Sequence, residues 1–393
     1  MAERNKKKYL VQFLCYSPRI YSGFDRFNLK LASNLKEKGY QSVFVFTNNI
    51  DVQELIDDLY NEGVIIELIS TKNKIILAKD ILKVFFKYKP AIVHAHFVNF
   101  IQLVCSIFSI FFLSRFYITF HSTISLYSRK EYQNKKGWIK LFLLTIYYKY
   151  LICVSKKVFC VSNAIRKQFC QFANSTTPKI ETLYLGVKLN EKHALKEFVR
   201  QQFSLPLNDV LLCNVSAIEP IKGIDTLIES IKIIKEQNKM SNVKCYHIGG
   251  LRIRSEENRQ YRDLLYEKVK ASDLENEFIW LGHRNDINEI LQAFDMYIHP
   301  SRMEGLGVTL MEAAANSLPL AGTNVGGIPE IIHHGKNGFL FSVESVEELT
   351  ATILKFVENE ELRVNMGKES FKLVYTTFNA DRQTEILTSK YCE

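Results

Sequence analysis

The run Asp295-Met296-Tyr297-Ile298-His299-Pro300, followed by Glu304-Gly305-Leu306-Gly307-Val308-Thr309-Leu310-Met311-Glu312, decides the fold. Its apolar first part suits a buried strand, Pro300 and the glycines break that strand, and Leu310 through Ala315 suits a helix. A strand passing through a glycine loop into a helix is the repeating step of an α/β architecture on a parallel sheet. Free backbone N–H groups at such a helix start, at Gly307 and Val308 here, converge on an anion that the positive dipole end also favours, and glycine lets that anion come close. Glu304 and Glu312 flank the loop. Ionised carboxylates accept from paired hydroxyls, and sugars and riboses are rows of hydroxyls. By itself the pair also fits one glutamate in a loop and another on a solvated helix face.

Working outward, the same step recurs. Tyr9 to Tyr16 is a short apolar run, Ser22-Gly23 opens a helix pattern closed by Gly39, and Ser42 to Thr47 is another buried strand. Val64 to Ile69, a helix over Ile75 to Tyr88, and Ala91 to His96 repeat the unit, and the strand Phe116 to Phe120 carries His121 at its carboxyl end. In open parallel sheets that end faces the ligand crevice. The second half repeats the logic through Val210 to Val215, a helix over Ile224 to Gln237, Lys244 to Ile248 with Gly249-Gly250, Phe278 to Leu281 with Gly282-His283, and the opening stretch. Two doubly wound halves are expected, with the hinge in the polar, irregular stretch Tyr184 to Leu207. At 393 residues the chain exceeds what one hydrophobic core supports, which agrees with two domains.

Charge divides the halves unequally. Residues 1–188 hold 28 Lys and Arg against 12 Asp and Glu, a net +16, whereas residues 189–393 hold 23 against 30, a net −7. No nucleic-acid-binding motif accompanies the basic half, so it points to an anionic substrate or surface, phospholipid headgroups included, more than to nucleic acid; a lysine-rich but merely solvated surface fits the same charge. The eight cysteines are scattered, mostly inside apolar strand-like runs, without a CxxC pair or a histidine at ligand spacing, and read as buried, reduced thiols. With a basic, polar start and no secretory signal in it, a cytoplasmic location is expected. Phe97 to Leu113 is strongly apolar, but Asn99, Gln102, Ser106 and Ser109 interrupt it between two strands of one sheet, so it reads as a buried core helix. The basic segment Ser128 to Lys140 feeds an apolar helix with Trp138, Tyr147, Tyr148 and Tyr150, a pattern able to lie on a headgroup surface as well as to pack in a core.

In order along nearly the whole chain, several motifs resemble those of the retaining family-4 glycosyltransferases of the GT-B fold. They are Pro90 to His96, Ile118-Thr119-Phe120-His121, Val158 to Ser162, Lys222-Gly223-Ile224-Asp225, Leu281-Gly282-His283, Pro300-Ser301, Glu304 through Glu312, and Gly326-Gly327-Ile328-Pro329-Glu330. The resemblance implies an α/β GT-B fold of two Rossmann-like domains facing across a cleft. It implies an acceptor-binding domain over 1–188, a nucleotide-sugar-binding domain over 189–375, and a helix in 376–393 packing back toward the first.

Position by position, it implies that Glu304, Lys222 and His121 carry catalysis. Glu304 would hold donor-sugar hydroxyls, Lys222 would neutralise the leaving diphosphate and His121 would sit near the reaction centre. Glu312 would bind the ribose, Gly305, Leu306, Gly307, Val308 and Thr309 would cradle the diphosphate, Gly23 would lie over the phosphates, and Gly282 and His283 would reach the base. His94 and His96 read as structural. Where the family commonly has an arginine this chain has Ala217, and Arg252 or Arg254 after Gly249-Gly250 is the candidate replacement. The interdomain segment also departs, to Leu185-Gly186-Val187-Lys188.

The implied reaction is retaining transfer from a nucleotide-diphosphate sugar to a glycan or lipid-linked acceptor in bacterial surface polysaccharide or lipopolysaccharide synthesis. It needs no cofactor beyond that co-substrate and no protein-bound metal. The implied location is the cytoplasm, with peripheral contact to the inner face of the membrane. A nucleotide-sugar epimerase of similar architecture and a non-catalytic sugar-nucleotide-binding subunit are the rival readings.

Overall fold

The computed structural model describes residues 7–18, 21–97, 99–122, 135–189, 194–237, 242–251 and 255–393. They fall into two compact units, Met1–Gly186 with Ala380–Glu393, and Val187–Asn379.

The first unit is built on seven strands, β1 (Lys8–Phe13), β2 (Tyr40–Thr47), β3 (Ile65–Ile69), β4 (Ile92–His96), β5 (Arg115–Phe120), β6 (Lys157–Cys160) and β7 (Ile180–Thr182). They pair in parallel in the order β3-β2-β1-β4-β5-β6-β7, so the winding reverses at β1 and β4. The central strands are buried and continuously apolar (Leu10, Val11, Phe13, Val43, Val45, Ile92, Val93, Ile118), as a sheet covered on both faces requires. Helix Gly23–Glu37 carries Phe27, Leu31 and Leu35 on its buried face and is capped by Ser22 and Asp25. The final helix, Ala380–Cys392, belongs to this unit: Thr384 Oγ1 accepts from Asn34 Nδ2 at 3.0 Å, and Lys30 pairs with Asp381 at 2.9 Å.

The second unit has six strands, β8 (Val210–Val215), β9 (Val243–Ile248), β10 (Phe278–Gly282), β11 (Met296–His299), β12 (Leu320–Thr323) and β13 (Gly338–Phe341). All pair in parallel in the order β10-β9-β8-β11-β12-β13, with the reversal between β8 and β11. The buried helix faces of Ile224–Glu236 (Leu227, Ile228, Ile231) and Val346–Glu358 (Leu349, Ile353, Phe356) join one core with Leu212, Met296 and Ile298 of the sheet.

The apolar stretch after β4 forms helix Asn99–Phe111, and the core-helix expectation holds for one of its faces only. Ile101, Val104 and Cys105 are buried together with Gln102, Ser106 and Ser109, while Ile107, Ile110 and Phe111 are exposed, as is Leu113 at 91%. The inward polar groups find partners in part: Ser106 Oγ donates to Leu103 O at 2.7 Å and Tyr147 OH approaches Gln102 Oε1 at 3.5 Å. Among the described residues no helix is long and apolar enough to cross a membrane. The cysteine reading also needs correction, since all eight are free but Cys153 and Cys392 are exposed.

Candidate functional site

In open parallel sheets the crevice for a ligand lies beyond the carboxyl ends of the strands where the winding reverses. In the second unit that point belongs to the loops after β8 and β11, and both carry the residues singled out from sequence.

After β8 the chain makes a single 3₁₀ turn, Pro220–Lys222, and leaves it through Gly223 at φ 65°. A Cβ on Gly223 would lie 2.1 Å from the Pro300 carbonyl oxygen, so only glycine lets this turn rest on the loop after β11. The close approach brings Lys222 Nζ to 2.7 Å from Glu304 Oε2. His299 Nε2 lies 3.1 Å from the same oxygen and 3.2 Å from Ser301 Oγ, and its Nδ1 is 3.3 Å from Tyr297 OH. The Tyr297 hydroxyl in turn lies 2.8 Å from Thr309 Oγ1 and 3.2 Å from the Val215 carbonyl, which ties β8, β11 and the following helix together.

Glu304 is also held by its backbone. Gly327 N donates to Glu304 O at 3.4 Å, and a Cβ on Gly326, at φ 53°, would lie 1.8 Å from that oxygen. Burial pushes the Glu304 carboxyl up, but the Lys222 ammonium and the His299 hydrogen bond outweigh it and hold the group well below the usual carboxylate range. Glu304 is therefore ionised at neutral pH. Oε2 is anchored twice, and Oε1 has no hydrogen-bond partner among the described residues.

Helix Val308–Ala315 begins beside this carboxylate. Its N-cap is Gly307 at φ 98°, without a side-chain cap, so the first N–H groups lack intrahelical acceptors. Glu312 lies on the buried face at 7% exposure, which excludes the solvated-face reading, and Leu306 is buried, so the loop offers backbone rather than that side chain. Gly282 closes β10, where its carbonyl accepts from Gly249 N at 2.8 Å, and His283 follows it, exposed. β10 is three strand spacings, about 14 Å, from β11, so that loop reaches only the far end of an extended ligand. Arg252 and Arg254, the candidate replacements for the missing arginine, lie outside the described residues.

Sequence reasoning missed Arg302. Its Nη1 and Nη2 meet Asp225 Oδ1 and Oδ2 at 3.0 and 2.7 Å, its Nε donates to Glu344 at 2.6 Å, and Nη1 also reaches the Pro220 carbonyl. Its backbone N–H donates to Ile221 O at 2.8 Å. Arg302 thus braces the Lys222 turn against the loop after β11. The signal lay in the motifs, a charge two residues before Glu304 and its opposite three after Lys222.

In the first unit, His121 follows β5 and His96 ends β4, with His96 Nδ1 at 2.9 Å from His121 Nε2. Phe97 stacks on His121 with centroids 4.1 Å apart, and Phe24 meets it edge-on at 5.0 Å. Gly23 starts its helix after Ser22, whose N–H donates to Asp25 Oδ2 at 2.8 Å and whose Oγ accepts from Asp25 N at 3.3 Å. That helix start is already served by its own carboxylate, unlike the one at Gly307.

Two family models match the chain in tandem: Glycosyltransferase Family 4 over residues 21–191 and Glycosyl transferases group 1 over residues 196–373. The chain is similar to the N-acetyl-alpha-D-glucosaminyl L-malate synthase of Bacillus anthracis, with 26% identity over 47% of this chain and 45% of that one. It is similar to the UDP-Gal:alpha-D-GlcNAc-diphosphoundecaprenol alpha-1,3-galactosyltransferase of Escherichia coli, with 23% identity over 67% and 65%. The chain spans about half the length of the first curated relatives it matches, 45%, 55% and 40%. Among solved structures, Anabaena HepE in complex with UDP and glucose shares the fold at a TM-score of 0.79, with 18% identity over 98% of this chain and 99% of that one.

Proposed function

Because the chain belongs to the family-4 glycosyltransferases, we propose that it moves a sugar from a nucleoside diphosphate to a hydroxyl of a glycan or lipid-linked acceptor, with retention of anomeric configuration. The observation that carries this reading is the meeting of Lys222 with ionised Glu304 beside the uncapped helix start at Gly307. The free N–H groups suit the diphosphate, the Glu304 carboxylate suits sugar hydroxyls and buried Glu312 suits the ribose. The bond from the anomeric carbon to the diphosphate breaks while the acceptor oxygen bonds on the same face, and the acceptor proton passes to a departing phosphate oxygen. Negative charge grows on the diphosphate in that step, so the preorganised ammonium of Lys222 stabilises the transition state more than the ground state. With Ala217 in this loop the diphosphate receives one cation fewer from it.

The Escherichia coli relative is named for UDP-Gal, and Anabaena HepE is seen with UDP and glucose and with UDP-glucose, which supports a nucleotide-sugar donor here. A thermal-shift screen of nucleotide sugars followed by a transfer assay tests the reading, with product configuration read by NMR and activity in EDTA checking that no metal is used. Donor isomerised without acceptor would favour an epimerase, and donor bound but never turned over would favour a binding subunit.

A second element concerns the acceptor's location. Exposed Ile107, Ile110, Phe111 and Leu113 adjoin exposed Ile75 and Phe86 of helix Lys74–Tyr88, whose lysines 74, 79, 83 and 87 are exposed too, and Lys74 Nζ lies over the Phe100 ring at 5.5 Å. Ile139, Phe142, Leu143 and Ile146 add an apolar face on helix Lys135–Val154. The basic segment before it lies outside the described residues up to 134. Apolar side chains ringed by lysine suit peripheral docking on anionic lipid at the cytoplasmic face, where a lipid-linked acceptor lies. Sedimentation with anionic vesicles that is absent, or insensitive to salt, removes this element.

A further inference from the structure

Three imidazoles meet at the carboxyl ends of β4 and β5. His94 satisfies both nitrogens, Nδ1 with the Tyr391 hydroxyl and Nε2 with Thr119 Oγ1 at 2.7 Å. His96 lies against it with ring centroids 4.1 Å apart; among the described residues its one hydrogen-bond partner is His121, through Nδ1 at 2.9 Å, and its buried Nε2 has none. Burial disfavours the charged form of all three, and neighbouring imidazoles add to this for His94 and His96. The His96 to His121 contact is therefore a hydrogen bond between two neutral rings, one nitrogen carrying the proton and the other a lone pair.

Only two arrangements exist. If His121 donates from Nε2, His96 Nδ1 is the acceptor and its proton sits on Nε2, an N–H buried without an acceptor. If His96 donates from Nδ1, the unpartnered buried atom is a lone pair. Orphaned buried N–H groups are the rarer defect in folded proteins. The ring of His121 is also held in place. Phe97 leaves β4 at φ 56°, a left-handed conformation uncommon for a bulky residue, and this lays its ring on His121 at an interplanar angle of 26° while Phe24 closes the edge.

We infer that His96 is a positioning residue: its Nδ1–H donates to His121 Nε2, which fixes His121 as the neutral Nδ1–H tautomer and leaves Nδ1–H as the one donor of that ring. His121 in this form cannot act as a base through Nε2, which already accepts. The catalytic consequence rests on the proposed transfer reaction; the tautomer does not.

The test is a long-range ¹H–¹⁵N correlation on the full-length ¹⁵N-labelled protein near neutral pH, with resonances assigned through single histidine variants. His121 is expected to show a protonated Nδ1 and a bare Nε2. In His96→Phe the tautomer shifts toward Nε2–H and kcat falls about tenfold or more with donor KM changed less than about threefold. His96→Asn, whose amide N–H can donate from near the Nδ1 position, is expected to restore both. A wild-type His121 protonated on Nε2 overturns the inference whatever the activity. An Nδ1–H His121 whose replacement by Ala leaves transfer intact upholds the tautomer and overturns its catalytic consequence.

Discussion

Arg302 grips both carboxylate oxygens of Asp225, at 3.0 and 2.7 Å, and so locks the turn that carries Lys222 to the loop that carries Glu304. The bidentate geometry exploits the planar guanidinium, which lysine cannot reproduce. Arg302→Lys is expected to cost about 1–2 kcal/mol of stability, discounted for partial exposure of the pair, and to lower kcat/KM by about tenfold through misplacement of Lys222. Thermal melts beside transfer kinetics check this. Full activity in the variant would reduce the brace to decoration.

Lys222→Ala and Glu304→Gln are each expected to lower turnover by about two orders of magnitude or more with the fold retained. Because the two groups touch at 2.7 Å, the double variant should lose much less than the product of the single losses. Strictly multiplicative losses would mean that the residues act independently.

The depressed pKa of Glu304 has a sign. A carboxyl whose folded value lies below its unfolded value, about 4.3, contributes stability above that value and loses it only as pH falls through the folded value. The wild type should therefore exceed Glu304→Gln in melting temperature most clearly at neutral pH, with the gap closing below about pH 4. Calorimetry across that range decides it, and a gap independent of pH would mean that Lys222 does not hold the charge.

Gly326→Ala should destabilise by about 2 kcal/mol or more and abolish donor binding, since the new Cβ collides with the Glu304 carbonyl in a left-handed backbone. Gly335→Ala, also at positive φ but with open space around it, is the control and should cost only the smaller conformational penalty. Equal effects at both positions would argue that φ alone matters.

Thiol labelling of the native protein should modify Cys153 and Cys392 first. Cys15, Cys105, Cys160, Cys213 and Cys245 are buried, and burial pushes their thiols up, away from the reactive thiolate. Mass spectrometry of partly labelled protein identifies the sites.

Much of the fold was legible because parallel strands buried on both faces are continuous apolar runs and the helices between them start at capping residues or glycines. The strand Val210–Val215 has the bounds read from sequence, and Met296–His299 lies inside the run Asp295 to Pro300. Lys222, Glu304 and the helix after Gly307 were legible for a similar local reason, because each sits in a loop with a glycine whose backbone role its neighbours announce. The exposed apolar face of helix Asn99–Phe111 was not, since composition says how apolar a segment is but not which face the sheet covers.

What the sequence determined by itself is therefore the local grammar: strand, glycine loop, helix start, and the residue types a diphosphate sugar would need. What only the tertiary structure decided is which groups touch. Lys222 and Glu304, 82 positions apart, share one oxygen contact because the winding reverses between β8 and β11 and brings their loops together. Arg302 and His96 acquire their roles in the same way. Hydrogen bonds act over about 3 Å, and no one-dimensional pattern reports which distant side chains the sheet will bring within that reach.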